Sequence, residues 1–269
     1  MQVTFDTNAL NDVVSPENSQ RGASGTANGI KVRAAIETGR IRGFFCETLV
    51  TLEGIQKKDR SEVLGSTRLN TQMNSTAPNT MTLNIGVVQD RKPLDPQLTN
   101  KIQAAKALGV RALRAPARIG WIRIKDEDDT FFAPDGPTEE LLSRMDRVNE
   151  MATTIAARGL GQAVAQTLGL QFLARDDISQ PTLWFQGLRR AKSNGERQKV
   201  AKVVAEWADG DSLAAHYGYG VDLFCSEDFG KNASTASILD DDNRAWLTDT
   251  FGVRFVTMAQ LADLADLAT

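Results

Sequence analysis

The sequence predicts an α/β protein built on a parallel central sheet, and three observations carry that reading. Short apolar runs alternate with helix-period stretches at both ends of the chain, the pattern of parallel strands joined by right-handed crossovers. Two of those runs, Gln2 to Phe5 and Val221 to Cys225, each deliver a carboxylate just past their end, Asp6 and Asp228. Open α/β sheets bind ligands at the carboxyl ends of their strands, so both acids fall where chemistry is usually done. The length, 269 residues, permits one large domain or one domain with a sizeable insertion.

The elements follow in order. Gln2 to Phe5 is a β-prone run that ends in an Asp-Thr-Asn turn. Ser15 to Gly25 is polar, a loop or a ragged helix start. Asn28 to Gly39 reads as a helix, with Ile30, Val32, Ala35 and Ile36 at near-helical spacing and Gly39 as its C-terminal stop. Ile41 to Cys46 is the second strand. Glu47 or Thr48 then caps a helix whose inward stripe is Leu49, Leu52 and Ile55, and Glu53 falls about one and a half turns into it.

Beyond Lys57 the composition shifts. Ser, Thr and Asn dominate Ser66 to Asn79, Met81 to Val88 alternates like an edge strand, and Asp95 is placed to cap a helix from Pro96 to about Gly109. Ile119 to Ile124 reads as the partner strand, with Arg123 between isoleucines. Helical period covers Pro137 to Arg158, Leu160 to Leu168, Thr182 to Arg190 and Glu196 to Asp209. Asp211 opens a short helix, Ser212 to Tyr217, that feeds the Val221 to Cys225 strand. Asp242 to Phe251 is a helix, Val253 to Val256 a strand and Met258 to Leu267 a closing helix. The expected organisation is a discontinuous α/β domain, residues 1–56 and 201–269, interrupted by an α+β insertion over 57–200 that is mostly helical in its second half.

Composition excludes several chemistries. With 41% hydrophobic and 24% charged residues the chain is ordinary for a globular protein, and a net charge of −3 gives no global field for nucleic acid. Any such contact must come from a local patch. Cys46 and Cys225 sit inside apolar runs and read as small buried hydrophobes. The single histidine, His216, rules out a multi-His metal site, and its place beside Tyr217 and Tyr219 reads as packing. No basic-then-apolar leader opens the chain and no apolar run approaches membrane-spanning length, so a cytoplasmic protein without a membrane partner is expected.

Four acids stand at comparable places: Asp6 after strand one, Glu53 in the helix after strand two, Asp211 at a helix start and Asp228 after a late strand. Crowded like charges repel, whereas hard divalent cations want oxygen ligands, so the set reads as a cation site. Two such ions stabilise the attacking and leaving oxygens of a phosphodiester displacement, with no histidine needed as base. Each acid has a plainer role as well: Asp211 suits an N-cap, and Asp228 suits a turn before Phe229-Gly230. Asp240-Asp241-Asp242 reads as helix-start capping.

Asp6-Thr7-Asn8 after a strand, a Glu in the second helix, an Asp opening a late helix, and Ser226-Glu227-Asp228 after the next strand resemble the PIN-domain nucleases. The likeness covers residues 1–56 and about 205–269, including Trp246-Leu247 and Gly252 to Val256; the middle of the chain is far longer than that family's connection. It implies a PIN-like fold in which Asp6, Glu53, Asp211 and Asp228 ligate Mg²⁺ or Mn²⁺, Asn8 steadies the first turn, and Ser226 positions water or substrate. Asp209 rivals Asp211 as the third ligand, and Glu47 is a lesser rival of Glu53. The implied activity is a metal-dependent ribonuclease; the alternatives are a structure-selective DNA nuclease on the same fold and a silent module that binds RNA or protein. A haloacid-dehalogenase-like phosphotransferase also starts from a strand-end Asp, but it wants a second Asp where this chain has Asn8. RNA is the expected partner, with room for a homodimer or a protein inhibitor.

Two basic stretches complete the reading. Arg111, Arg114, Arg118, Arg123 and Lys125 flank Trp121 and read as a solvated face. Arg189, Arg190, Lys192, Arg197, Lys199 and Lys202 follow Trp184-Phe185 and surround a Ser-Asn-Gly turn. The second stretch is the candidate for contacting RNA phosphates.

Overall fold

Val3, Thr4 and Phe5 have almost no accessible surface, the burial expected of a strand covered on both faces. A computed structural model describes residues 1–77, 80–90, 96–116, 130–177, 183–230 and 237–267. In chain order its elements are β1 (Gln2–Phe5), α1 (Thr7–Val14), α2 (Gly22–Glu37), β2 (Arg42–Cys46), α3 (Thr48–Thr51), α4 (Arg60–Gly65), β3 (Arg68–Ala77), β4 (Thr80–Val88), α5 (Pro96–Ala107), β5 (Arg111–Leu113) and α6 (Thr138–Ala157). They continue with α7 (Gln162–Arg175), α8 (Trp184–Leu188), α9 (Asn194–Gly218), β6 (Leu223–Cys225), α10 (Asp241–Phe251), β7 (Phe255–Val256) and α11 (Met258–Leu267).

Five strands form one parallel sheet in the order β5-β2-β1-β6-β7. The protein is therefore α/β with a central parallel sheet flanked by helices. On one face, Ala9, Leu10 and Val13 of α1, Val32 and Ala35 of α2, and Leu261 and Ala265 of α11 pack onto Val3, Phe5, Phe45 and Leu223. On the other face, Leu213 and Ala214 of α9 join Met151 and Ile155 of α6 and Leu247 of α10 around Phe224. The first half of α9 extends past the sheet and builds a further core with Leu64 of α4, Phe172 of α7 and Leu188 of α8 around Trp207.

The middle of the chain departs from the expected insertion. β5, a three-residue strand too short to show a period, joins the sheet beside β2. Helices α5, α6 and α7 all contribute to the cores that support the sheet and α9. The expected boundary between 200 and 201 falls inside α9, which runs unbroken from Asn194 to Gly218. The expected helix ended at Asp209; instead Gly210 continues it, its bare Cα against Gly161, where a side chain would meet the Gly161 backbone at 3.0 Å. The glycine serves helix packing rather than termination. β4 pairs antiparallel with β3, the Ser/Thr/Asn-rich stretch; the expected partner strand was Ile119 to Ile124. Those residues, together with Asp95 and Thr182, lie outside the described residues. No described helix is long and apolar enough to cross a membrane.

Candidate carboxylate site

Asp6 leaves β1 with an extended backbone and caps α1: its Oδ1 accepts from the Ala9 N–H at 2.6 Å. Its Oδ2 accepts from the hydroxyl of Ser226, which follows the neighbouring strand β6. Ser226 is wholly buried, and its Oγ accepts in turn from the Asp228 N–H at 3.1 Å. The two strand ends are thus joined through one hydroxyl. Asp228 is exposed, its Oδ1 accepts from the Gly230 N–H at 2.9 Å, and its carbonyl is held by the guanidinium of Arg244.

Glu53 arrives from the far side of β1. It lies in the turn after α3 rather than within a longer helix, since α3 stops at Thr51. The Arg60 guanidinium, 4% exposed, donates to the carbonyls of Ile55 at 3.1 Å, Glu53 at 3.3 Å and Ala201 at 2.8 Å. One buried cation thereby ties the Glu53 turn to α9. The Glu53 carboxylate accepts from the hydroxyl of Thr7.

Asp209 is the third acid to reach this place, and Asp211 is not. Two residues along a helix turn a side chain through about 200°, so only one of the pair can face the cleft. Asp209 lines it with Asp6, Glu53 and Asp228. Asp211, 4% exposed, accepts from the Trp207 indole N–H at 2.9 Å instead. The expectation that Asp211 opens a helix is corrected with it, since the residue is interior to α9. Glu47, the rival of Glu53, accepts from the Ala115 N–H at 2.8 Å and braces the strand ends.

The four acids line a cleft of about 740 Å³ that is also lined by Lys57, Lys58, Arg197 and Lys202 and by the buried Arg60. Beneath it is a cavity of about 10 Å³ bordered by Asp6, Thr7, Glu53, Asp209 and Ser212, room for one water-sized species. Burial raises the pKa of Asp6, opposed by its bonds from Ala9 and Ser226 and reinforced by the charge of Asp228. Burial likewise raises Glu53, opposed by Thr7 and Arg60. Asp209 is raised well above the ordinary carboxylate value by burial, then by the charges of Glu53, Glu206, Asp6 and Asp228. Carboxylates in this situation gain from a proton or a cation. As the side chains stand, no group of three or more His, Cys, Asp and Glu among the described residues is set to hold a metal ion.

The remaining expectations sort by position. Asn8 is exposed on the cleft wall, and the first turn is capped by Asp6 itself. Of the second basic stretch, Arg197 and Lys202 reach the rim because they share the α9 stripe of Ala201, Ala205 and Asp209. Lys199 is exposed but does not line the cleft. Arg189 and Arg190 line a separate groove with Ser66 and Asp90, and Lys192 pairs with Asp176 at 2.9 Å. In the first basic stretch, Arg114 lies 3.9 Å over the Phe132 ring, while Arg118, Trp121, Arg123 and Lys125 lie outside the described residues. His216 is buried, with Nδ1 at 3.0 Å from the Thr4 hydroxyl, and Asp240 caps α10. Thr7, Arg60, Lys57 and Lys58 were missed, although Lys57, Lys58 and Arg60 stand four to seven residues after Glu53 in the sequence.

No family model matches this chain, and no curated protein matches it.

Proposed function

We propose that the protein is a divalent-metal-dependent nuclease of PIN-like organisation that hydrolyses RNA. The observation that carries the reading is the convergence of Asp6, Glu53, Asp209 and Asp228, from four separate segments, in one cleft also lined by Lys57, Lys58, Arg197 and Lys202. Carboxylate oxygens suit Mg²⁺ or Mn²⁺, and Mg²⁺ is held by one or two carboxylates while it keeps several waters. Glu53 with Asp209, and Asp6 with Asp228, are the pairs that would hold such ions; each pair repels electrostatically without one. The chemistry of the donor set, carboxylate oxygens alone, fits such ions.

When bound, the metal supplies a more acidic water and charge for the departing oxygen. The chain's own residues do the rest. Lys57, Lys58, Arg197 and Lys202 draw the phosphodiester backbone to the cleft mouth. Ser226 and Thr7 donate to Asp6 and Glu53, which fixes the carboxylate planes before any substrate arrives. Arg60 holds the Glu53 turn at a set distance from α9 and hence from Asp209.

The test is cleavage of single-stranded RNA with Mn²⁺ and with EDTA, paired with thermal melts under both conditions. Cleavage only with Mn²⁺, together with a raised melting temperature, supports the reading. Cleavage of DNA alone would move the assignment to a DNA nuclease. If neither is cut and Mn²⁺ leaves the melt unchanged, a binding module without catalysis takes its place.

A further inference from the structure

A second groove borders Glu53, one of the four acids. It has a volume of about 1460 Å³ and shares Thr7, Asn8, Glu53, Lys57 and Arg60 with the acidic cleft. Small-molecule pockets run to roughly 300–1,000 Å³, so two joined grooves of this size suit an extended chain. Their walls differ in chemistry. The rim of the acidic cleft carries cations from the turn after Glu53 and from α9. The second groove is richer in carboxamides, among them Asn11 of α1, Gln20, Gln56, and Gln97 and Asn100 of α5, which stand beside Asp12 and the cations Arg21 and Lys101. Gln97 and Asn100 are three apart on their helix and so share a face. Among the described residues no aromatic side chain lines this groove.

Each wall suits a different part of a nucleotide. Ammonium and guanidinium groups bind phosphate without regard to sequence. A carboxamide is neutral and offers a donor and an acceptor side by side, the pattern that matches the edge of an unpaired base. In an RNA duplex the Watson–Crick edges are occupied by pairing and the major-groove edges lie in a deep, narrow groove that side chains do not enter, so a single strand is the form that offers both to the carboxamides. We infer that the Asn/Gln-walled groove is a base-reading subsite for single-stranded RNA, which places nucleotides flanking the cut by their edges while the basic arm holds the backbone. The inference rests on the nuclease reading and adds to it a substrate form and a source of sequence preference. Without an aromatic platform, recognition there comes from hydrogen bonds and gives selectivity among bases, whereas stacking tolerates any base.

The test measures binding of labelled single-stranded RNA 12-mers of four different base compositions, in EDTA, over a range of salt. Three proteins are compared: wild type, Asn11→Ala/Asn100→Ala and Lys202→Ala. Wild type should favour one composition. The double variant should lose roughly tenfold on that composition and bind all four alike, with an unchanged salt slope. Lys202→Ala should weaken all four equally and lower the salt slope by about one contact. The same-shaped variant Asn11→Asp/Asn100→Asp removes the donor while keeping the volume, and it should show the same loss of preference if folding is not the cause. Unaltered preference in both double variants overturns the subsite and leaves the nuclease reading standing. Equal binding of duplex RNA by wild type overturns the single-strand inference in the same way. Preference for single-stranded DNA over RNA keeps the groove as a base reader but overturns the substrate. If wild type binds no oligonucleotide at any salt, the subsite and the nuclease reading fall together.

Discussion

Asp209 and Asp211 stand two residues apart on one helix and serve different surroundings. Asp209 faces Glu53 across the acidic cleft, while Asp211 is buried against the Trp207 indole at 2.9 Å. Their amide variants should therefore behave oppositely. Asp209→Asn removes a charge that Glu53, Glu206, Asp6 and Asp228 all repel, so the metal-free protein should melt higher. It should also lose its response to Mn²⁺ and its cleavage. Asp211→Asn weakens a buried, charge-assisted hydrogen bond and should cost about 1–3 kcal/mol. Its Mn²⁺ response should survive. Melts of both variants in EDTA and in Mn²⁺ read this directly, and a lost Mn²⁺ response in Asp211→Asn alone would return the third ligand to that residue.

Arg60 spans the Glu53 turn and α9. Arg60→Lys keeps the charge but has no planar fork to reach three carbonyls at once. Two of the three acceptors are left short of a partner, at about 1–3 kcal/mol each. The expected result is a lower melting temperature and cleavage reduced more than RNA binding, since Lys57, Arg197 and Lys202 still hold the backbone. Equal losses in binding and turnover would make Arg60 a phosphate contact instead.

How much of this was written locally in the chain follows from the same residues. Asp6 and Asp228 were legible because each ends a strand, and strand ends of a parallel sheet converge by topology. The α/β class was legible for the same reason. Asp209 was confounded with Asp211 because the choice depends on whether the helix continues through Gly210. A contact with Gly161, about fifty residues away, settles that, and no local pattern records it. β5 was invisible because a three-residue strand has no period, and its role comes from pairing with β2. The basic stretch split for a helical reason: Arg197 and Lys202 follow the face of Asp209, whereas Arg189, Arg190 and Lys192 precede α9 and fall elsewhere.

His216 gives a pH signature separate from the cleft. Burial against Thr4 and Phe224 lowers its pKa from 6.5 to about 4. Below pH 6.5 the unfolded chain binds a proton that the folded chain refuses until about pH 4. Stability is thus full above 6.5 and falls as pH drops through this window, by about 3 kcal/mol at most. His216→Gln keeps a hydrogen-bonding group for Thr4 and removes the titration. Its stability should fall less than that of wild type between pH 6.5 and 4, measured by denaturant unfolding at fixed pH.

Asp6 couples the cleft to folding with the opposite sign. Its folded pKa is raised above 3.8, first by burial and also by Asp228, so the folded protein holds a proton that the unfolded chain releases. In metal-free buffer this contribution favours folding at low pH and is lost as pH rises through the raised value. Asp6→Asn should flatten that decline and melt at or above wild type near neutral pH, because the amide oxygen still accepts from the Ala9 N–H and caps α1. Asp6→Ala removes the cap as well and should cost about 1 kcal/mol relative to Asp6→Asn. Neither variant should cleave RNA. Mn²⁺ should raise the wild-type melting temperature most where Asp6 is ionised, and much less in Asp6→Asn. If Asp6→Asn instead melts several degrees below wild type in EDTA and keeps its Mn²⁺ response, Asp6 is a structural cap and the ion sits elsewhere.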